Sequence, residues 1–399
     1  MLCFVLGVVG FFCVLLVNSD EEWSSSFWVL DPGTTKTTTS HDKRTSPPSS
    51  RYLAPFTNAA PCDHQNGDYT CTVHQPTPFE VPEQATQLVC DDAAVCLTTL
   101  HGLKEDPNQD RSIGISVVDN RNQQQKLLVA GLFDGHGMDG HHVSQFAMDQ
   151  LPWRILANYW TNRHTTKNGT EEVERLFADC DNFLLDQTPF LGGSTGIVLL
   201  ATAHNVYWAS VGDSTGFLVE WPSGRIVSSV PAHKPNQPLE RQRIEQHGGT
   251  VVDPPPGTPF SARAQYEEQF PDDPTMIGLV TLAMSRSLGD RGGKINARTQ
   301  QRRPIVIPTP WTETVALADD NDQQYFAILA TDGLMDMLPS PEYVVTTLGK
   351  ALYYESNNDD NNVVGRVAAQ LVQQASARWH AESMGQYRDD ITLTVYKLR

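Results

Sequence analysis

Residues 129–140, VAGLFDGHGMDG, constrain the fold of this chain more than any other stretch. The apolar residues 127–133 predict a buried strand, and this strand ends abruptly in the turn DGHG at residues 134–137. The glycines allow a sharp turn and let a ligand approach the backbone closely. A carboxylate at the end of a strand, beside exposed carbonyl groups, is a suitable ligand for a hard divalent cation. The stretch therefore predicts a strand that delivers Asp134 to a candidate metal site.

Three further apolar runs lead into aspartates, at Asp213, Asp332 and Asp389. We interpret each run as a strand that ends in its aspartate, so that four carboxylates from distant parts of the chain form one site. Carboxylates without cysteine select Mg²⁺ or Mn²⁺ over zinc. Two such ions would acidify a bridging water and neutralise a phosphate group. The pattern therefore predicts direct attack of water on phosphorus, with no covalent intermediate.

The composition limits the class of protein and its partners. Hydrophobic residues make up 39% of the 399 residues, a proportion typical of globular proteins. The net charge of −18 argues against nucleic acid as a partner, because binding it requires a cationic surface. Four clustered cysteines permit two disulfides if the chain is exported, or they remain unpaired thiols; they are Cys62, Cys71, Cys90 and Cys96.

The chain divides into three parts by composition. Residues 1–20 form a hydrophobic leader, which we interpret as a signal peptide or a membrane anchor. Residues 21–88 are rich in Ser, Thr and Pro and predict a largely disordered linker. Residues 89–399 predict the folded domain. The leader indicates the secretory pathway or a membrane, and a cytoplasmic protein with a plain hydrophobic tail is the alternative.

The domain alternates between predicted strands and predicted helices. Hairpin-like strands combined with helices predict an α+β fold, an antiparallel β-sandwich flanked by helices. Cys180 lies among apolar residues at helical spacing and is predicted to be a core residue. Residues 252–274 are rich in proline and charge and predict an exposed insertion. The predicted strands are 111–118, 127–133, 196–203, 206–211, 326–330 and 391–397, and the predicted helices are 143–159, 171–185, 237–247, 341–354 and 363–383.

Seven sequence blocks in this domain carry a family resemblance. In chain order they are NQDR, LFDGHG, GSTG, VGDS, SRSLGD, LATDGLMDML and DDIT. From about residue 89 to the C-terminus the chain resembles the metal-dependent Ser/Thr protein phosphatases of the PPM type, also called protein phosphatase 2C. The resemblance implies a β-sandwich with flanking helices and a dinuclear Mg²⁺ or Mn²⁺ centre in its cleft. It also implies that phosphoserine and phosphothreonine in proteins are dephosphorylated by a metal-activated water.

The resemblance assigns roles by position. Asp134 would bridge the two metals, and Gly135 would offer its backbone carbonyl. Asp332 and Asp389 would be further ligands, and His136 would act as the general acid that protonates the leaving alkoxide. The partners would be phosphorylated protein substrates, and we expect a monomer that can attach to a membrane through its leader.

A third, weaker metal site is a separate hypothesis. Asp332 and Asp336 are four residues apart, so a helical turn after Gly333 would bring both carboxylates to one face. The VGDS block, with Asp213, faces the same cleft in the family. The alternative is that Asp336 caps a turn and Asp213 fixes the end of a hairpin.

Several positions depart from the family pattern. Gln109 stands where the family commonly has glutamate. The family often has a phosphate-binding arginine a few residues upstream, and here only Lys104 is nearby as the candidate phosphate-binding residue. A non-catalytic relative that binds partners is therefore the main alternative function. Two other functions do not fit. A phosphatase of the other Ser/Thr superfamily needs sequence blocks that this chain lacks, and a Ca²⁺-binding module needs its acids in one short loop, whereas these are dispersed. The remaining departures from the family pattern are Met138, Thr215, Thr331 and Asp390.

Overall fold

The computed structural model describes residues 62, 69–76, 87–90, 95–104, 107–122, 124–162, 169–256, 261–270, 273–318, 323–356 and 363–398. The leader at residues 1–20 and most of the predicted linker lie outside these ranges, so what the sequence indicates for them stays a prediction. Within the described ranges, no helix is both long enough and apolar enough to span a membrane.

The strands of the described residues are β1 (Tyr69–His74), β2 (Gln87–Cys90), β3 (Val95–Leu100), β4 (Arg111–Asp119), β5 (Gln124–Phe133), β6 (Gly135–His136), β7 (Gly193–Ser194), β8 (Gly196–Ala201), β9 (Asn205–Val211), β10 (Thr215–Trp221), β11 (Arg225–Ser229), β12 (Thr250–Val252), β13 (Arg263–Phe270), β14 (Asp273–Leu282), β15 (Leu288–Gly289), β16 (Trp311–Ala316), β17 (Gln324–Ala330) and β18 (Ile391–Lys397). The helices are α1 (Gly140–Asn162), α2 (Gly169–Gln187), α3 (Pro238–Gln246), α4 (Arg291–Lys294), α5 (Asp332–Met335), α6 (Pro341–Ser356) and α7 (Val363–Glu382).

Two six-stranded sheets form the centre of the domain. Sheet 1 has the order β1-β4-β5-β8-β9-β16, and sheet 2 has the order β11-β10-β17-β18-β3-β2. Neighbouring strands in both sheets are antiparallel. Helices α1 and α2 pack on the outer face of sheet 1, and α5, α6 and α7 pack on the outer face of sheet 2. The predicted α+β fold, an antiparallel β-sandwich flanked by helices, is confirmed.

Strand β5 shows how the sequence produces this layering. Successive side chains of a strand point to opposite faces. Leu128, Ala130 and Leu132 are buried between the two sheets, whereas Val129 and Phe133 are buried beneath the helices. Since both faces of the strand are covered, an uninterrupted apolar run is favoured over an alternating one.

Residues 252–274 are predicted to be an exposed insertion, but the described part of this range includes β13, which lies in a third antiparallel sheet with the order β12-β13-β14. The prediction is therefore wrong for β13. Buried and partly exposed residues alternate along β13, with Ala264 and Tyr266 on the buried side. They pack with Ile244 of α3 and with Ile305 in a small core of their own. Proline and charged residues obscured this alternation in the sequence.

The sheets also include residues of the predicted linker, residues 21–88. Strand β1 pairs along its whole length with β4, and β2 extends sheet 2 beyond β3. Cys71 of β1 forms a disulfide with Cys62, and Cys96 of β3 is also disulfide-bonded. Cys180 is buried in the core, as predicted. The folded domain therefore begins before residue 89.

Candidate metal centre

The DGHG turn is held rigidly where β5 ends. The amide of Asp134 donates to Thr195 Oγ1 at 3.0 Å, and its carbonyl accepts from the Thr195 amide at 2.9 Å. The amide of Gly135 donates to the carbonyl of Gln109 at 3.2 Å. A Cβ on Gly135 would lie 2.5 Å from the carbonyl oxygen of Gly140, so only glycine fits there. The packing fixes the backbone of both candidate ligands, Asp134 and Gly135.

Antiparallel pairing brings the other aspartates to the same edge of the sandwich. Asp110 precedes β4, whose first residue pairs with the last residue of β5, so it lies next to Asp134. Asp332 follows β17 and Asp389 precedes β18, and these two chain ends are neighbours because the strands are antiparallel. Asp213 lies between β9 and β10, and the start of β10 pairs with the end of β17. The structure therefore brings together the predicted site residues from both sheets.

One detail of this arrangement corrects the sequence prediction. Asp389 does not end a strand, because β18 begins after it, at Ile391.

The two sheets are joined near this point through Thr331. Its hydroxyl donates to Asp110 Oδ2 at 3.1 Å and accepts from the Thr392 amide at 2.9 Å.

The aspartates are close enough to repel one another. Burial raises the pKa of Asp134 well above its ordinary value, and neighbouring aspartates raise it further. Burial and neighbouring aspartates act in the same way on the pKa of Asp332. Burial, followed by the charge of Asp390, raises the pKa of Asp110 to about 7. The neighbours that raise the pKa of Asp134 are Asp110, Asp332, Asp389 and Asp213.

Two lysines neutralise part of this charge. Lys104 Nζ lies 3.2 Å from Asp389 Oδ1 and 2.8 Å from Asp390 Oδ2. Lys234 Nζ lies 2.5 Å from Asp213 Oδ2. Burial acts to lower the pKa of Lys104, but the charges of Asp389 and Asp390 outweigh it and raise that pKa well above its ordinary value. Both side chains are therefore fixed cations at the rim of the acidic cluster.

The donor chemistry of the cluster fits divalent cations. Within the described residues, Oδ1 of Asp110 and Oδ1 of Asp213 are buried without a hydrogen-bond donor, an arrangement that costs free energy unless a cation or water satisfies the oxygen. Carboxylate and carbonyl oxygens are the ligands that Mg²⁺ and Mn²⁺ prefer. In the described ranges, no three His, Cys, Asp or Glu side chains are arranged as a group that could hold a metal ion without rearrangement. The candidate ligands from the sequence, Asp134, Gly135, Asp332 and Asp389, are thus assigned by chemistry and position, and the unpaired oxygens belong to their neighbours Asp110 and Asp213.

His136 lies in β6, beside the acidic cluster, with its side chain 18% exposed. Its Nε2 atom lies 3.0 and 2.9 Å from the two carboxylate oxygens of Asp290. Burial acts to lower the pKa of His136, but the charge and hydrogen bond of Asp290 outweigh it, so the pKa lies above its ordinary value. The charge of Asp213 raises this pKa as well, so the ring is within electrostatic reach of the cluster. A protonated imidazole in this position can act as a general acid.

The hypothetical third site is supported by local geometry. The helical turn predicted after Gly333 is present as α5, and the amide of Asp336 donates to the carbonyl of Asp332 at 2.9 Å. Burial raises the pKa of Asp336, Lys234 opposes this rise, and Asp213 adds to it. The three acids therefore lie within electrostatic reach of one another, and Lys234 lies beside them.

Two departures from the family pattern have structural roles. Gln109 is buried, and its Nε2 donates to the carbonyl of Gly137 at 2.7 Å, a contact that a glutamate could not make. Asp390 accepts from the amides of Gly102 and Gln109 at 2.6 and 2.9 Å, in addition to Lys104. Both residues therefore support the turns that carry the candidate ligands.

Sequence reasoning missed four residues of the site. Asp110 and Asp290 stand inside the matched blocks NQDR and SRSLGD, so the blocks themselves carried a signal. Lys234 follows the VGDS block in the segment HKPNQP, but nothing in the spacing shows that it reaches Asp213. Asp390 is one of the departures from the family pattern, and the structure shows that it forms an ion pair with Lys104.

We expect the stabilisation of the domain by Mn²⁺ to grow with pH. A carboxyl with a raised folded-state pKa contributes stability that is present at low pH and is lost as the pH rises through that pKa. For Asp110 this loss begins near the ordinary pKa of an aspartate and is complete at a pH of about 7. Metal binding needs the deprotonated groups and removes their repulsion. The rise in Tm caused by Mn²⁺ should therefore be larger at a pH of about 8 than at about 5, and thermal unfolding with and without Mn²⁺ measures it. An equal rise at both values would contradict the assignment of these carboxylates to metal.

Comparisons with known proteins agree with this geometry. The family described as "Protein phosphatase 2C" matches residues 103–379. The probable protein phosphatase 1N of Homo sapiens is 30% identical over 207 residues, which cover 51% of this chain and 41% of that protein. The probable protein phosphatase 2C 72 of Arabidopsis thaliana is 26% identical over 298 residues, which cover 72% of this chain and 80% of that protein. The alignment thus spans less than half of the human relative and most of the plant relative.

Solved structures support the fold. The serine-threonine phosphatase 2C of Toxoplasma gondii superposes with a TM-score of 0.56 at 19% identity, covering 79% of this chain and all of that one. A sex determining protein of C. elegans superposes with a TM-score of 0.52 at 19% identity, covering 76% of this chain and 64% of that one. The family match, residues 103–379, includes the DGHG turn with Asp134 and also Asp332, whereas Asp389 and Asp390 lie beyond its end. The chain belongs to the protein phosphatase 2C family.

Proposed function

We propose that this protein is a metal-dependent phosphatase that removes phosphate from phosphoserine and phosphothreonine in proteins. The observation that carries the proposal is the cluster of aspartates from both sheets at one edge of the sandwich, beside His136. Membership of the protein phosphatase 2C family supports the same reaction. The non-catalytic alternative was raised by Gln109, and the hydrogen bond of that residue to Gly137 accounts for it as a support of the catalytic turn.

The proposal assigns two divalent cations, Mg²⁺ or Mn²⁺, to Asp134, the carbonyl of Gly135, Asp332 and Asp389. When bound, these ions would lower the pKa of a water and neutralise the substrate phosphate. The rigid DGHG turn would hold Asp134 and Gly135 in place, so that little reorganisation accompanies the reaction.

The chain's own cations would orient the substrate. An ammonium group has three donors, and two of those of Lys104 face Asp389 and Asp390. The third is available for a phosphate oxygen, which supports Lys104 as the phosphate-binding residue. As the phosphorus–oxygen bond to serine or threonine breaks, His136 would give its proton to the departing oxygen.

The test is an assay of the full chain on peptides that carry phosphoserine, phosphothreonine or phosphotyrosine, with Mn²⁺ present. Phosphate release from the first two peptides is expected. A protein that binds Mn²⁺ but releases no phosphate from any peptide would favour the non-catalytic alternative.

We also propose a third, weaker metal site at Asp213, Asp332 and Asp336. Lys234 competes with a cation at this position, so an ion held there should bind weakly and largely through water. Asp336→Ala is expected to lower turnover severalfold while the tight metals remain bound. Rate as a function of Mn²⁺ concentration, together with calorimetry of the tight sites, measures both effects.

The matched control for this variant is Asp179→Ala, because Asp179 is an exposed aspartate on α2, away from the cluster. It should keep the wild-type response to Mn²⁺. If Asp336→Ala keeps that response too, or loses the tight metals, the separate third site is wrong.

Entry into the secretory pathway or a membrane through residues 1–20 is a further proposal. The disulfide between Cys62 and Cys71 supports it, because disulfides persist in oxidising compartments. The sequon Asn168-Gly169-Thr170 provides a readout. The full chain expressed in secretory cells should show a mobility shift that glycosidase removes and that Asn168→Gln abolishes. A cytoplasmic distribution without the shift would contradict the proposal.

A further inference from the structure

The contact between His136 and Asp290 joins two residues that are 154 positions apart in the chain. The small sheet with the order β15-β7-β6 creates it, because His136 lies in β6 and Asp290 follows β15 directly. Strand β7 runs between them, and a Cβ on Gly193 would lie 2.3 Å from Asp290 Oδ2. The glycine of the GSTG block is therefore needed for the carboxylate to reach the imidazole.

Asp290 is held in an unusual backbone conformation. Its φ and ψ angles are 49° and 58°, in the left-handed region that non-glycine residues seldom occupy. The amide of Asp290 donates to the carbonyl of Gly192 at 2.7 Å, and the hydroxyl of Ser287 donates to its Oδ2. A strained residue that its surroundings fix so closely points to a positional requirement of the side chain.

A buried ion pair supports the turn that carries Asp290. Asp181 of α2 accepts from the amide of Gly289 at 2.9 Å and from Lys294 Nζ at 2.5 Å. Lys294 Nζ also donates to the carbonyl of Ser287 at 2.8 Å. Residues on both sides of Asp290 are thus tied to α2, so the carboxylate has little freedom to move away from His136.

The hydrogen bonds of His136 indicate which of its ring nitrogens carries a proton. A carboxylate only accepts, so Nε2 of His136 must carry the proton that faces Asp290. In the described part of the chain, Nδ1 of His136 is buried without a hydrogen-bond partner. Nδ1 is therefore the ring nitrogen that is not engaged by Asp290.

We infer that Asp290 is the positioning residue of His136: it holds Nε2 and leaves Nδ1 to protonate the departing oxygen of serine or threonine. The inference rests on the proposed function. In the step it describes, a water oxygen forms the new bond to phosphorus while the phosphorus–oxygen ester bond breaks. The departing oxygen takes the proton of Nδ1, the protons of the attacking water remain on the phosphate product or pass to solvent, and the neutral imidazole regains a proton from solvent.

The test is a double-mutant cycle with Asp290→Asn and His136→Ala. Asparagine has the shape of aspartate and tolerates left-handed backbone, so the variant should fold. Asp290→Asn alone should lower turnover of a phosphoserine peptide by roughly 10-fold or more, but by no more than the ~10²–10⁴-fold that the general acid itself contributes. It should lower turnover of p-nitrophenyl phosphate less, because an aryl oxide leaves without a proton. In the His136→Ala background, Asp290→Asn should have no further effect.

A second variant and a binding measurement keep the outcomes distinct. Ser287→Ala removes one hydrogen bond to Asp290 and should show the same preference for good leaving groups, with a smaller loss. Mn²⁺ binding by calorimetry should be unchanged in both variants. If Asp290→Asn is fully active, or costs as much without His136 as with it, the inference is overturned. If the wild-type protein itself releases no phosphate, the proposed function has failed instead.

Discussion

Replacing Asp134 by Asn is expected to lower kcat/KM on a phosphoserine peptide by about 10³-fold or more, because several kcal/mol of charge stabilisation by the metals would be lost. Asp134 is the candidate ligand shared by both cations, so each would lose a bond. No other described carboxylate lies on the DGHG turn next to Gly135. Phosphate release at saturating Mn²⁺ measures the effect.

The same variant should remain folded. Asparagine preserves the shape of the side chain, and the hydrogen bonds between Asp134 and Thr195 involve only the backbone of Asp134. Removing one charge from the cluster relieves repulsion, so the Tm without metal should not fall below that of the wild type. Asp179→Asn, an exposed change of the same kind, should alter neither activity nor Tm. Near-normal rates for Asp134→Asn would rule out the bridging role.

Replacing His136 by Ala is expected to be the second most damaging change. A general acid contributes about 10²–10⁴-fold when the leaving group is basic, as the alkoxides of serine and threonine are. On p-nitrophenyl phosphate the loss should be much smaller, since that leaving group does not need the proton. Turnover of both substrates by the same preparation gives the ratio directly.

The metal content of His136→Ala should equal that of the wild type, since imidazole is not among the candidate ligands. Equal losses on the two substrates would show that His136 is structural, and a loss of metal would show that it supports the acidic cluster instead.

The sequence predicted the sandwich well because each central strand has a strong local pattern. Strand β5 is an apolar run that ends at the DGHG turn, so its burial and the position of Asp134 both follow from adjacent residues. Strand β13 was missed because its buried positions hold a small, an aromatic and an acidic residue, Ala264, Tyr266 and Glu268. An acidic residue predicts exposure in the sequence, but Glu268 is buried, and burial raises its pKa to about 7.

Part of the site could be predicted for the same reason, because several of its aspartates follow strands with a strong local pattern. Asp134, Asp213 and Asp332 each follow an apolar strand, and their position at one edge follows from antiparallel pairing. The contacts of Lys104 with Asp390, of Lys234 with Asp213 and of His136 with Asp290 depend on which strands and turns become neighbours in space. No spacing within one segment encodes such pairs, so the electrostatic surroundings of the metal ligands emerged only from the structure.

The most direct test of a metal-dependent phosphatase measures bound metal and turnover in one sample. The full chain would be stripped with a chelator, and Mn²⁺ would be added back in steps while phosphate release from a phosphoserine peptide is followed. Metal bound at each step would be determined on the same protein. Turnover should be absent in the stripped protein and should rise as the sites fill. Turnover that survives complete removal of metal, or full occupancy with no turnover, would contradict the account.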